Sequence, residues 1–442
     1  MFGYYLSLTL RGVRRNPVLT ALIISAIGVG IGASMTTFAV FRAMNGDPIA
    51  YKASQLYVPQ IQNWDPNIHS QNSSAQPDGL SDQLSYIDAV ALMRAHAASR
   101  QTALYETRSV LTPPDPQLLP FQIGTRAGYA DLFAMFDVPF AYGGPWSAAD
   151  DAAHAPVAVI SRALNDKIFG GGDSVGKVLR LDGQDYRVVG VLRDWKPVPR
   201  YYDLQDPFGI EPDDVFMPFT RAIDQHKLAR ESSNCSGGEP PASGWSGWLQ
   251  SECVWLQFWV ELPTAADAAR YRTFLHHYAQ DQQRSGRFHW AARTQLRDLR
   301  QWLSYEHVVS DEVRILVVVG FGFLLVCLVN AMGLMLARVL FRSSDTGVRR
   351  ALGANRGAVF AQGVIEAAVF GAGGAILGVL LTALGLAGLR ALLSREALVL
   401  ARTDLPQIGM SIALAIAAAV AAGLYPAWRA ARVQPALQLR VR

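Results

Sequence analysis

Charge is scarce in this chain: of 442 residues only 17% are Asp, Glu, Lys or Arg, whereas 50% are hydrophobic. Ordinary soluble domains run near 25% charged, so a wholly soluble protein is the first class to be excluded. The net charge is only +4 and no long Lys/Arg run occurs, which excludes a nucleic-acid groove. Histidine numbers eight, scattered, with neither an HExxH nor a Cys/His pair at ligand spacing, so no metal site is expected. The adjacent His276 and His277 diverge on a helix. No Ser/His/Asp set or paired carboxylates stand at motif spacing, so no catalytic residue is assigned. Cysteine is rarer still, with three in all.

What the chain has instead is long uncharged apolar runs. Val18–Phe41, Ile315–Ala337, Ala367–Leu389 and Leu405–Trp428 each hold no charge, and a membrane crossing takes about 20 apolar residues. One such run could be a buried soluble helix; four read as transmembrane helices. Arg11, Arg14 and Arg15 before the first run imitate a signal peptide. Its length and the lack of an A-x-A site favour a retained anchor instead. Tyr4, Leu6, Leu8, Leu10 and Val13 ahead of it read as an interfacial helix. The arginine bias sets the orientation. Arg338, Arg342, Arg349, Arg350 and Arg356 after the second run share a side with the N-terminal arginines and with Arg429, Arg432, Arg440 and Arg442. The loop between the last two runs holds Arg390, Arg395 and Arg402, offset by Glu396 and Asp404.

Both termini are therefore expected in the cytoplasm. The expected order is an N-terminal interfacial helix (1–17), a span (18–41), one extracytoplasmic region (42–314), a span (315–337), and a cytoplasmic loop (338–365). A span (366–389), a short outer loop (390–404), a last span (405–428) and a basic cytoplasmic tail (429–442) follow. The fold class is membrane α-helical with a large α+β extracytoplasmic domain between the first and second spans. In an oxidising compartment, Cys235 and Cys253 are expected to form a disulfide, two free thiols being the alternative. It would close a loop containing Gly237, Gly238, Pro240, Pro241 and Gly244.

Two stretches imitate nucleotide loops. In FGGGDSVGKV (169–178), Gly171, Gly176 and Lys177 fall on G-x-x-x-x-G-K, but Val178 stands where Ser or Thr would hold magnesium. The order there is helix, turn, strand, the reverse of a phosphate loop, with an Asp-Gly hairpin turn at 182–183. CSGGEP (235–240) leads to no helix whose N-terminus could hold an anion. Both are expected outside the cytoplasm, and no cofactor is expected.

Several stretches resemble one family. GVRRALGANRGAV (347–359) and VIEAAVFGAGGAILGVLL (364–381) are similar to the cytoplasmic loop and third span of MacB/FtsX-type ABC transporter permeases. GLYPAWRAARVQPALQLR (423–440) resembles that family's terminal motif. VPFAYGGPWSAADD, VAVISRALNDKIFGGGDSVGK and LRLDGQDYRVVGVL resemble its outer domain; the likeness is weakest over 201–290. The resemblance implies a non-catalytic permease in the bacterial inner membrane, working with a cytoplasmic ABC ATPase dimer and a second permease chain, identical or paralogous. A periplasmic adaptor and an outer-membrane channel are further implied partners. Where the family places a basic residue and Glu-Ile before Gly-Val, this chain has Ser343, Ser344, Asp345 and Thr346. That departure points to weaker contact with the ATPase, or to one half of a heterodimer.

The residues support a mechanical role independently. Gly347, Val348, Arg349, Arg350, Ala351, Leu352 and Gly353 read as a short cytoplasmic helix, capped by Ser344 or Asp345 and stopped by Gly353. It would be a knob for the ATPase, the alternative being a solvated charged turn. Thr294–Glu312 has the spacing of an amphipathic stalk helix, or of an ordinary packing helix. Gly28 and Gly32 in the first span and Gly374 and Gly378 in the third suit close helix packing, and Asn330 suits interhelical bonding. Glu366 is expected to pair with a loop arginine. Trp245, Trp248, Trp255 and Trp259 are a candidate cargo surface, although WLQFWVEL also alternates like a core strand. Two other functions stand beside export: an FtsX-like regulator of a cell-wall hydrolase, and a membrane-anchored periplasmic enzyme. The 42–314 region is larger than a division-type outer domain, which favours transport.

Overall fold

A computed structural model describes residues 16–45, 49–62, 80–205, 207–208, 213–230, 233–235, 243–291, 293–308, 311–341, 355–392 and 405–432, with Thr9. The chain divides into two compact units, Met1–Asn45 with Val309–Arg442, and Gly46–Val308.

Among the described residues the first unit holds four long helices, Pro17–Met44, Asp311–Phe341, Arg356–Leu392 and Leu405–Arg432. Each has a stretch long and apolar enough to cross a membrane. Pro17 opens the first helix where a missing N–H costs nothing. Asn355 opens the third, its Oδ1 accepting from the Ala358 amide at 2.7 Å, so that helix begins at Arg356 rather than near Glu366. Ile23, Ile27, Ile31 and Met35 form a buried ridge at helical spacing on the first helix.

The second unit is built on one mixed sheet. Its strands are β1 (Leu56–Gln62), β2 (Leu84–Ser85), β3 (Arg100–Thr112), β4 (Phe121–Gly128), β5 (Phe140–Gly143) and β6 (Val157–Ile160). Then come β7 (Val178–Leu181), β8 (Gln184–Leu192), β9 (Val215–Pro218), β10 (Val254–Glu261) and β11 (Arg293–Asp298). The order is β11-β1-β10-β3-β4-β9-β6-β8-β5, with β2 beside β10 and β7 bridging β3 and β8. The β4–β9 and β6–β8 pairs are parallel.

Strand periodicity sends alternate side chains to two cores: Leu104 of β3 joins Phe133, Phe136 and Trp259, while its neighbour Tyr105 joins Phe219, Trp255 and Tyr271. The helix Ala265–Arg284 covers the second of these with Ala268, Tyr271, Leu275 and Ala279. A capping box of Thr264 and Asp267 starts it. β10 is buried along its whole length, so WLQFWVEL is core strand and Trp255 and Trp259 are not a surface.

The stretch around Lys177 runs helix, turn, strand. Ser161 caps the helix Arg162–Phe169, which ends at left-handed Gly170, and β7 follows. Asp182 and Gly183, both at positive φ (49° and 79°), then make the two-residue turn into β8. The Lys177 ammonium lies 4.9 Å from the Phe169 ring centre.

The single amphipathic helix expected over 294–312 does not form. Residues 293–298 are β11, paired antiparallel with β1, and only Leu299–Tyr305 is helical, with Leu299 and Trp302 in a core. Asp298 ends the strand and caps that helix, its Oδ1 accepting from the Gln301 amide. Pairing with a strand more than two hundred residues away overrides the local helical spacing.

Candidate functional site

The proposed ATPase-facing residues Gly347, Val348, Arg349, Arg350, Ala351, Leu352 and Gly353 lie outside the described residues. So do residues 1–15 of the N-terminal interfacial segment (apart from Thr9) and the 236–240 part of CSGGEP. The two helices that flank 342–354 are described, and they meet through one arginine. Arg338, near the end of the second helix, is 3% exposed and holds Glu366 of the third, Nε to Oε1 at 2.8 Å. Its Nη1 donates to Thr20 Oγ1 on the first helix at 2.7 Å. Its guanidinium carbon lies 5.0 Å from the Phe370 ring centre. Glu366 thus has an arginine partner, supplied by the helix end.

The small residues named for helix contact fall into two groups. A Cβ at Gly28 would lie 2.8 Å from Leu377, and one at Gly32 2.6 Å from Leu381. Reciprocally, a Cβ at Gly374 would collide with the Ile27 side chain, and one at Gly378 would meet Ile31 at 2.7 Å. First and third helices therefore interlock, each offering glycine grooves to the other's branched side chains. Asn330 differs: it lies on an exposed face of the second helix beside Val326 and Val329 and not among the helix contacts. The side facing the bundle is taken by Leu324, Cys327, Ala331 and Met335, so helical phase turns Asn330 away.

The second unit holds a buried charge cluster that no sequence motif announces. Arg126 of β4, fully buried, binds Asp203, Asp213 and Glu106, the Asp213 contact at 3.1 Å. Glu106 of β3 is also held by Arg200 and Arg230. Tyr202 Oη donates to Asp213 at 2.8 Å, and Gln257 Nε2 to Asp203 at 3.2 Å. The one signal for this cluster is a Glu and an Arg interrupting two apolar strands, ALYETRSV and FQIGTRAG. A second hub is Arg287, bidentate to both Asp88 and Glu252.

A narrow cleft nearby is lined by Asp82, Tyr202, Trp259, Trp302 and Glu306. Burial, with the Asp82 charge beside it and Arg297 opposing, pushes the Glu306 carboxyl up to about 8. Burial also raises Asp151, to about 6, against its bonds from the Ala130 amide and Trp146 Nε1.

Cys235 and Cys253 are bonded to each other. Beside them Trp245 stacks on His226 at 5.3 Å and Trp248 packs on Trp255 at 6.1 Å. Among the described residues no group of three or more His, Cys, Asp or Glu is placed to hold a metal.

The MacB-like periplasmic core domain family matches residues 20–273, and the FtsX-like permease C-terminal family matches residues 317–435. The macrolide export ATP-binding/permease protein MacB of Azoarcus sp. is 25% identical over 303 residues, covering 68% of this chain and 40% of its own. The pyoverdine export ATP-binding/permease protein PvdT of Pseudomonas syringae pv. syringae is 26% identical over 307 residues, covering 69% and 41%. MacB of Rhodospirillum rubrum is 26% identical over 452 residues, 99% of this chain and 60% of its own. The match thus spans less than two thirds of the length of these relatives. The solved periplasmic region of MacB from Actinobacillus actinomycetemcomitans covers 58% of this chain and 94% of its own, at 11% identity and a TM-score of 0.36.

Proposed function

The chain belongs to the MacB-like permease family, and from that premise we propose that it is the non-catalytic permease of an ABC exporter, driven by an ATPase in a separate subunit. The observation that carries this reading is the order of the two matched regions: a MacB-like periplasmic core domain with an FtsX-like permease region after it. The ATPase grips the 338–365 loop through Gly347–Gly353, and two permease chains carry its motion to the 42–314 domain. Substrate is displaced outside the cytoplasm and does not thread the four helices. Both termini lie in the cytoplasm, following the arginine bias. The relatives' names supply the export setting, macrolides for one and pyoverdine for another. A periplasmic adaptor and an outer-membrane channel complete the assembly where the outer membrane must also be crossed.

The test is purification of the tagged chain from its native membrane with identification of what co-elutes. An ABC ATPase is expected in the complex, with ATP hydrolysis in the complex and none by the isolated chain. Nucleotide turnover by the partner-free chain would overturn the reading, and so would a complex without any ATPase.

A further inference from the structure

Three helices meet on one arginine beside the 342–354 segment. Arg338 precedes the segment and Glu366 follows it, and their side chains join at 2.8 Å. Thr20 brings in the first helix and Phe370 closes the guanidinium face. On the far side of the third helix there is no slack. A Cβ at Gly363 would lie 2.7 Å from Ala427, and one at Gly423 would collide with Ala367.

Stability alone does not call for charges here. Breaking one partner of a buried pair is strongly destabilising, yet replacing both by apolar residues of similar volume is often neutral. What the pair adds is register. One buried guanidinium reaches two other helices, as an ion pair to Glu366 and a hydrogen bond to Thr20, and sliding any of them would separate these partners and leave a buried charge uncovered. An apolar contact of Met on Leu could slide by a fraction of a turn at little cost.

We propose that Arg338, Glu366 and Thr20 form a clasp that makes the first, second and third helices move as one body when the 342–354 segment is displaced. The glycine contacts already tie the first helix to the third; without the clasp the second helix slips against that pair, and a push on the segment is absorbed between the second and third helices. The three are positioning residues. The inference rests on the permease reading, because it takes the ATPase to act on this segment.

The test uses the full chain, as its complex with the co-purified ATPase, with Cys327→Ala. A single spin label is placed either at Val318 of the second helix or at Ile376 of the third, which are 72% and 76% exposed. Distances between the two permease copies are read with and without ATP and vanadate. In the otherwise unsubstituted complex both label positions are expected to shift with nucleotide. In Arg338→Met/Glu366→Leu the Val318 and Ile376 shifts fall out of step, while the ATPase still co-elutes. Val318 still shifting in step with Ile376 in that variant overturns the clasp. If the double variant does not accumulate, Glu366→Gln keeps the shape, removes the charge and is held to the same comparison. If neither label shifts in the unsubstituted complex although the ATPase turns over, the clasp fails and the family reading stands. If no ATPase co-elutes at all, the permease reading fails first and the clasp with it.

Discussion

At the scale of single residues, the second unit concentrates its risk in Arg126. It is the shared counter-charge of Asp203, Asp213 and Glu106, all of them buried. Arg126→Met removes that charge and leaves carboxylates that water cannot reach, a loss of about 3–5 kcal/mol by analogy with broken buried pairs. Denaturant unfolding of the purified chain, followed by outer-domain tryptophan fluorescence, is expected to show that loss. An unchanged midpoint would mean Arg200 and Arg230 suffice. Glu306 makes the opposite kind of prediction. Its folded carboxyl holds its proton up to about 8, above the ordinary Glu value near 4.5. Between those values the folded state binds more protons than the unfolded one, so stability is full at acid pH and declines as pH rises through that window. The groups around it are Asp82, which reinforces the effect, and Arg297, which opposes it; Gln205, Tyr202 and Trp302 line the same cleft. Glu306→Gln should flatten the fall in unfolding temperature between about pH 5 and 8. Asp151, raised to about 6, leaves a smaller slope at the lower end of the window.

At the scale of elements, the prediction concerns the interlock of the first and third helices. Gly374→Val drives a branched side chain into Ile27, whose methyl already fills the space a Cβ would take. Overpacking of this kind costs about 1–3 kcal/mol. Gly322→Val, on the same unit but with nothing within 4 Å, is the control and should leave the unfolding temperature of the isolated chain unchanged. The disulfide belongs to this scale too, because it closes a loop of separation 18 beside β10. Removing it with Cys235→Ser/Cys253→Ser should destabilise by about 2–4 kcal/mol, seen as a lower unfolding temperature that reductant no longer changes.

The elements also differ in how far local sequence announces them. The four long helices are legible because hydrocarbon tolerates no charge, so a run of more than twenty uncharged residues points to a membrane crossing. The Asp-Gly turn at 182–183 is legible because positive φ at two adjacent residues demands such residues. The stretch 293–305 is ambiguous because Leu296, Leu299, Trp302 and Leu303 suit one helix as well as a strand followed by a short one. Only β1, far off in sequence, decides. Asn330 turns away from the bundle because composition places a polar residue within a helix without fixing its face. The Arg126 cluster is invisible for a related reason: Glu106, Arg126, Asp203 and Asp213 come from four separate segments, and no local pattern brings them together.

At the scale of the whole molecule, everything about the proposed role depends on which side of the membrane each region occupies. The arginine distribution gives the expectation, because Lys and Arg near span ends are retained in the cytoplasm. Lys177, exposed between the helix Arg162–Phe169 and β7, and Arg356, exposed at the start of the third helix, are suitable reporters on the two sides. A membrane-impermeant maleimide should label Lys177→Cys in spheroplasts and label Arg356→Cys only after permeabilisation. The reverse pattern would put the 42–314 domain beside the ATP pool and overturn the proposed transmission of motion out of the cytoplasm. Given the expected pattern, Arg349→Ala/Arg350→Ala/Leu352→Ala should leave the chain inserted, with the same labelling at both reporters, while the ATPase no longer co-elutes. The reason is division of labour. The bundle is already held by Arg338–Glu366 and the glycine contacts, so the loss of these side chains should fall on the partner and not on the fold. Undiminished co-elution after the triple change would move the ATPase grip elsewhere on the cytoplasmic side, with the basic tail at 429–442 as the next surface to substitute.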